Sequence, residues 1–231
     1  MRLNKILLLI LATPLLFISC EEDPVSADSE TELNISVNDL DFSTTPVGES
    51  TDEFFTITND GDVSINDLTL SVGTEHFELS TTNLTLDPRQ WTDIQVIFRP
   101  QGEGSFNDVL TISSDQNDIE ETITLSGTGE AIIDLVPSLD ELNFSTTPGE
   151  SQSLDLEIMN NSNIDLPNIQ LSVSGSVFTP GSTSVSINQG ESAVVSITYS
   201  SAEAGQFQEE LTISPEGRPE SVTVVLNGVT E

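Results

Sequence analysis

Apolar and polar residues alternate with period two along most of the chain. In Thr92-Asp93-Ile94-Gln95-Val96-Ile97-Phe98 the alternation puts Ile94, Val96 and Phe98 on one face. Leu68, Leu70 and Val72 share a face within Ser64–Val72, and Val195, Ile197 and Tyr199 do the same further on. Alternation of this kind predicts half-buried strands. Turn signals separate the runs: Asn59-Asp60-Gly61, Asp87-Pro88, Pro100-Gln101-Gly102, Asn188-Gln189-Gly190 and Pro215-Glu216-Gly217. Beyond residue 19 no segment carries a convincing apolar stripe of helical period. Short strands at roughly 8–12-residue spacing predict an all-β fold of sandwich type.

The pattern occurs twice. Leu40-Asp41-Phe42-Ser43-Thr44-Thr45-Pro46 recurs as Leu142-Asn143-Phe144-Ser145-Thr146-Thr147-Pro148, and Val47 has no counterpart. Residues 48–130 then align with 149–231 without a gap, pairing Asn59 with Asn160, Phe98 with Tyr199 and Gly127 with Gly228. Such self-similarity predicts two homologous sandwiches, residues 33–130 and 131–231. The connector Ile132-Ile133-Asp134-Leu135-Val136-Pro137 is apolar enough to be partly packed.

The first residues follow another rule. Arg2 and Lys5 precede an apolar run, Ile6–Ile18, that is shorter than the roughly 20 residues a membrane span needs. A basic start followed by a run of this length reads as a signal peptide over residues 1–19. The run ends Leu16-Phe17-Ile18-Ser19-Cys20, which resembles a bacterial lipobox. That resemblance implies cleavage before Cys20, diacylation of its side chain and a lipid anchor holding the protein on a membrane. It places the protein in a bacterial cell envelope, at the outer membrane and in reach of the cell surface. The other reading is an ordinary signal peptide that happens to end in a cysteine. Residues 20–32 read as an acidic tether that begins with Cys20, and residues 21–32 contain one apolar side chain larger than alanine. Within it Glu21-Glu22-Asp23 resembles the surface-export signals of lipoproteins in Bacteroidota-like bacteria, or is simply solvated.

Charge narrows the function classes. The 231 residues hold 39 Asp+Glu against 5 Lys+Arg, a formal net charge of −34. Loss of residues 1–19 would leave Arg89, Arg99 and Arg218 as the basic side chains. Such a surface does not neutralise phosphates, so nucleic acid is excluded as a partner. It suits a salty habitat, where counter-ions screen self-repulsion, or alternatively a need for divalent cations. One Cys excludes a disulfide framework or a multi-thiolate metal site, and one His excludes a multi-histidine site.

Few residues could carry chemistry. His76 sits beside Phe77, has Val177 as its counterpart, and is expected to be a surface histidine. Paired carboxylates suit glycoside hydrolysis, but among 39 acids close pairs arise by chance. Asn59-Asp60-Gly61-Asp62 and Asp115-Gln116-Asn117-Asp118 have the oxygen-rich composition of a calcium loop. The first also reads as a plain turn, and the second copy offers Asn160-Asn161-Ser162-Asn163 there. Trp91, the only tryptophan, falls on the face opposite Ile94, Val96 and Phe98. It is the candidate binding anchor, with packing against a loop or the other domain as the alternative.

Each copy resembles the Ig-like domain of the abnormal-spindle/hydin type, also known as the choice-of-anchor D repeat. The residues that carry this are Leu40-Asp41-Phe42 with Pro46-Val47-Gly48-Glu49-Ser50, Phe55-Thr56-Ile57-Thr58-Asn59-Asp60-Gly61, Leu86-Asp87-Pro88 with Ile94–Pro100, and Ile123-Thr124-Leu125-Ser126-Gly127-Thr128-Gly129. The match is looser over 139–231, where Ser162 stands for the turn glycine and Ser200-Ser201 for Arg99-Pro100. The resemblance implies seven-stranded sandwiches and non-catalytic roles in adhesion, scaffolding or spacing.

The whole reads as two tandem Ig-like β-sandwiches behind a lipoprotein signal peptide, with Cys20 as lipid attachment site. The expected function is non-enzymatic: a binding or adhesion module for an envelope protein or glycan, or alternatively a passive spacer. No catalytic residue, metal or cofactor is expected.

Overall fold

The computed structural model describes residues 30–231. The signal peptide, Cys20 and the tether up to residue 29 lie outside the described residues. The first sandwich comprises β1 (Leu33–Ile35), β2 (Asp39–Pro46), β3 (Thr51–Asn59), β4 (Ile65–Ser71), β5 (Phe77–Leu79), β6 (Asn83–Leu86), β7 (Trp91–Phe98), β8 (Gly104–Ser114) and β9 (Ile119–Glu130). The second comprises β10 (Leu135–Pro137), β11 (Glu141–Thr146), β12 (Ser151–Asn160), β13 (Leu166–Val173), β14 (Phe178–Pro180), β15 (Ser184–Ile187), β16 (Ser192–Ser200), β17 (Gly205–Pro215) and β18 (Val222–Thr230). No helix occurs among the described residues.

In each sandwich a four-stranded sheet packs on a five-stranded one. The orders are β1-β3-β7-β5 with β2-β9-β8-β4-β6, and β10-β12-β16-β14 with β11-β18-β17-β13-β15. Pairing is antiparallel except for β2 with β9 and β11 with β18. The chain changes sheets directly after β1 and after β10, so the first strand is split between the two layers. That split and the short strands β5, β6, β14 and β15 give nine strands per copy where the resemblance implied seven.

The alternation read from the sequence becomes the core. Ile94, Val96 and Phe98 point inward with Phe55 and Ile57 from β3, against Leu110, Ile112, Ile123 and Leu125 of the facing sheet. The second copy repeats this with Val195, Ile197, Tyr199, Leu156 and Ile158. Burying one such aliphatic or aromatic side chain is worth about 1.5–3 kcal/mol. An aromatic cluster closes one end of each core. Phe42, Phe77 and Phe98 have ring centroids 5.0–5.7 Å apart, and Phe144, Phe178 and Tyr199 have centroids 4.8–5.9 Å apart. Tyr199 carries a hydroxyl into this buried place, and Thr230 Oγ1 meets it at 2.6 Å. Gly127 and Gly228 let those rings lie on the backbone: a Cβ would stand 2.6 Å from Phe98 and 2.4 Å from Tyr199.

Two details depart from simple alternation. Ile65 and Leu68 are both buried because the β4–β6 register shifts between them, with Asp67 at φ 49°. The same shift falls between Leu166 and Ile169. At the N-terminal side, residues 30–32 of the expected tether already pair with the first sandwich. Asp60 N–H donates to Glu32 O at 2.8 Å and Asp62 N–H to Glu30 O at 3.2 Å.

Candidate functional site

The oxygen-rich turn 59–62 is used for construction. Asn59 is fully buried at the end of β3. Its Nδ2 donates to Val63 O at 2.8 Å and Leu86 O at 3.0 Å, and its Oδ1 accepts from Gly61 N–H at 3.1 Å. Asn160 repeats all three bonds with Ile164, Ile187 and Ser162. The side chain therefore ties three segments together, which is the work of a structural turn. Asp62 accepts from Glu30 N–H at 3.1 Å. In the hairpin 115–118, Asn117 Oδ1 accepts from Asn66 N–H and from Ser114 Oγ, both at 3.1 Å. Among the described residues no group of three or more His, Cys, Asp or Glu side chains is placed to hold a metal ion.

His76 is half-buried rather than a free surface residue. Its ring lies 4.4 Å from that of Phe106, and its Nδ1 is buried without a hydrogen-bond partner among the described residues.

Sequence reasoning missed a pair of carboxylates that organise loops. Asp108 on β8 reaches the loop after β4, accepting from Gly73 N–H at 3.0 Å, Thr74 N–H at 2.8 Å and Thr74 Oγ1 at 2.9 Å, and also from Val109 N–H at 2.7 Å. Burial works against ionisation of this carboxyl. The bonds from Val109, Thr74 and Gly73 outweigh it and hold the pKa below the ordinary aspartate value. Glu209, its counterpart on β17, accepts from Ser176 N–H at 2.9 Å and Val177 N–H at 3.1 Å. The only signal for this was an acid in the same place in both copies of an outward strand position.

Trp91 opens β7, opposite Thr58 of β3, on the outer face of the four-stranded sheet. It is 63% exposed, on the face opposite Ile94, Val96 and Phe98 where the alternation put it. Phe54, on the same face of β3, is 56% exposed. Asp93 lies two residues on and accepts from Thr56 Oγ1 at 2.6 Å. An indole standing in water beside hydrogen-bonding side chains is the type of group that anchors a partner.

The two sandwiches also touch. Asn163 Oδ1 accepts from Ile132 N–H at 2.7 Å, while its Nδ2 donates to Glu130 O at 3.0 Å and to Val47 O at 3.2 Å. Arg218 of the second sandwich pairs with Glu103 of the first.

The fold defines a pair of tandem Ig-like domains. Two family models match the chain, one per sandwich: Cep192 domain 4 over residues 30–130, and the HYDIN/CFA65/VesB-like Ig-like domain over residues 132–229. The hydin resemblance stated on sequence thus finds its named counterpart on the second copy, where the motif match was looser. A comparison with curated proteins finds no match. Similar solved structures include the PapD-like domain 7 of human CEP192, 18% identical, covering 51% of this chain and 98% of that one at TM-score 0.40. The titin domains Z1Z2 in complex with telethonin are 9% identical, with 88% and 98% covered at TM-score 0.44. A protein of unknown function from Porphyromonas gingivalis W83 is 13% identical, with 85% and 99% covered at TM-score 0.34.

Proposed function

We propose that this chain is a lipid-anchored, non-enzymatic protein of a bacterial cell envelope whose Ig-like domains bind another protein or a glycan. The observation that carries the binding role is Trp91, a large aromatic held in solvent on the outer face of a sheet. Exposing an indole costs solubility and gives the fold nothing, since Ser192 fills the same place in the second copy. The anchoring role rests on the residues before the tether: Arg2, Lys5, the apolar run and Cys20. Matches to Ig-like family models along both halves support a module without catalysis.

The test is retention of a partner. Full-length protein, purified in detergent and immobilised, is exposed to envelope extract at the salt of its habitat, in parallel with Trp91→Ala. A protein or glycan held by the parent and lost with the variant is the expected result; equal retention by both removes Trp91 from the account. Anchoring is read separately. Cys20→Ala is expected to move the protein from the membrane fraction to the soluble one, and persistence on the membrane would show that Cys20 is no anchor.

One observation favours the spacer reading. The contacts of Asn163 with Val47 and Glu130, and of Arg218 with Glu103, join the sandwiches on top of the peptide link. Full retention of structure without any captured partner would leave that reading standing.

A further inference from the structure

The two copies differ in character along one diagonal of the outer face of the four-stranded sheet. In the second sandwich Val136 of β10 lies directly opposite Met159 of β12, which lies opposite Ser192 of β16. Val194 is two residues beyond Ser192, facing Glu157. Directly opposed side chains on one sheet face stand about 5 Å apart and diagonal ones about 7–8 Å. Val136, Met159 and Val194 therefore form an apolar diagonal across three strands, exposed at 41%, 41% and 63%. Val136 and Met159 floor a groove of about 240 Å³ whose rim holds Glu157, Glu191 and Ser138.

The first sandwich shows that folding does not demand this. By the repeat alignment, Asn34, Thr58 and Asp93 occupy the places of Val136, Met159 and Val194. The register is the same, with Thr58 opposite Trp91 as Met159 is opposite Ser192. The same sheet thus folds with polar side chains at these three places, and the apolar diagonal belongs to the second copy alone. The groove is open there because Gly190 and Ser192 stand where the first copy carries Arg89 and Trp91.

We propose that this groove is a docking site for an extended segment of a partner protein that presents a cationic side chain next to a large apolar one. The apolar part covers Val136 and Met159, and the cation meets the rim carboxylates of Glu157 and Glu191. Each rim carboxylate has an oxygen left over: Glu157 Oε1 takes the Ser192 hydroxyl and Glu191 Oε2 takes the Asn188 amide. None of the three arginines of the described chain lines the groove. Opposite charge is therefore wanted from outside, and the acidic surface as a whole steers a cationic segment toward it. The site is independent of the Trp91 reading, because it lies on the other sandwich and uses none of the same side chains.

The probe is a synthetic nine-residue peptide in which arginine alternates with leucine, with a control peptide carrying serine for leucine at equal charge. Binding to the full-length protein is measured by calorimetry in about 0.5 M NaCl, where exposed charges more than a few ångströms apart are screened. The leucine peptide is expected to bind at least tenfold tighter than the serine peptide. Met159→Ser and Val136→Ser are each expected to weaken it about tenfold, the scale of one lost aliphatic contact. Ser192→Trp, which fills the groove without altering its floor, is expected to block binding. Equal affinity for both peptides, or no effect of the groove variants, would reduce the attraction to diffuse charge and overturn the proposal. Sedimentation of the protein without peptide covers the other occupant. Self-association lost in both Trp91→Ala and Met159→Ser would assign the groove to Arg89 and Trp91 of a second copy and overturn the partner named here.

Discussion

Asn59 offers the sharpest test of the structural reasoning. Asn59→Ala deletes the amide that serves two carbonyls and one N–H, at Val63, Leu86 and Gly61. A buried polar group left without its partner costs about 1–3 kcal/mol. Water can reach the partly buried Val63 carbonyl, so the loss is expected at about 3 kcal/mol rather than the sum of three maxima. Asn59→Asp keeps the acceptor for Gly61 but places a carboxylate oxygen where the amide faced two carbonyl oxygens. At neutral pH that uncompensated buried charge is expected to cost about 3–5 kcal/mol, more than the alanine. Its folded-state pKa is raised, so the penalty grows as pH climbs from the ordinary aspartate value of about 3.9 and vanishes below it. The assay is urea unfolding followed at two wavelengths. Trp91 is the only tryptophan and reports the first sandwich, and Tyr199 is the only tyrosine and reports the second. With a urea slope of about 1–3 kcal/mol per molar, a 3 kcal/mol loss moves the tryptophan midpoint by at least about 1 M. A shift worth less than about 1 kcal/mol in both variants, or an aspartate no worse than the alanine at pH 7, would refute the account of Asn59 as the tie between three segments.

Three further outcomes follow from the same structure. Gly228→Ala forces a methyl against the Tyr199 ring and is expected to cost about 1–3 kcal/mol in the tyrosine-read transition; a change under about 0.5 kcal/mol would mean the ring gives way freely. Asp108 has a lowered folded pKa, so its contribution to stability is present above the unfolded aspartate pKa and is lost as pH falls through the folded value. Asp108→Asn is therefore expected to lower stability at pH 7 and to flatten the acid side of the pH–stability profile below about pH 4; an unchanged profile would remove Asp108 from the loop's support. Sodium chloride is expected to raise the unfolding midpoint by screening a net charge of −34, with calcium adding little beyond its ionic strength; a flat response to molar salt, or a saturable rise at micromolar calcium, would refute the screening account.

The strands were legible because their cause is local. Alternation in Thr92–Phe98 sets which side chains face the core, and a glycine two residues after Asn59 marks the turn, so both could be read before any pairing was known. The same alternation put Trp91 outside, and outside is where it stands. What stayed hidden depends on pairing between distant segments. The bulge at Asp67 exists because Ile65 meets Leu86 while Leu68 meets Leu84, a register that no local pattern states. Asp108 looked like one acid among many until the fold brought Gly73 and Thr74 to it. His76 was expected at the surface because Phe106, the ring it packs on, is thirty residues away in sequence. The seven-strand expectation missed the split first strand for a similar reason, since the switch between sheets depends on which partner each half finds.

The repeat separates what the fold requires from what a particular surface does. Positions kept between copies have structural work that can be named: Asn59 and Asn160 make the same three bonds, and Gly127 and Gly228 make room for the same ring. Asp108 and Glu209 both hold a loop, although the longer glutamate leaves its Oε2 buried without a partner among the described residues. On the outer face of the four-stranded sheet Arg89 and Trp91 give way to Gly190 and Ser192, and Asn34, Thr58 and Asp93 give way to Val136, Met159 and Val194. A face that the core does not use is free to diverge, so divergence alone would carry little meaning. Here it runs toward exposed apolar side chains in both copies, the direction that solubility opposes. Charge makes the argument stronger. With 39 acidic residues available to cover a surface, leaving an indole bare on one sheet and three aliphatic side chains bare on the other takes a compensating use, and binding is the use that such groups have.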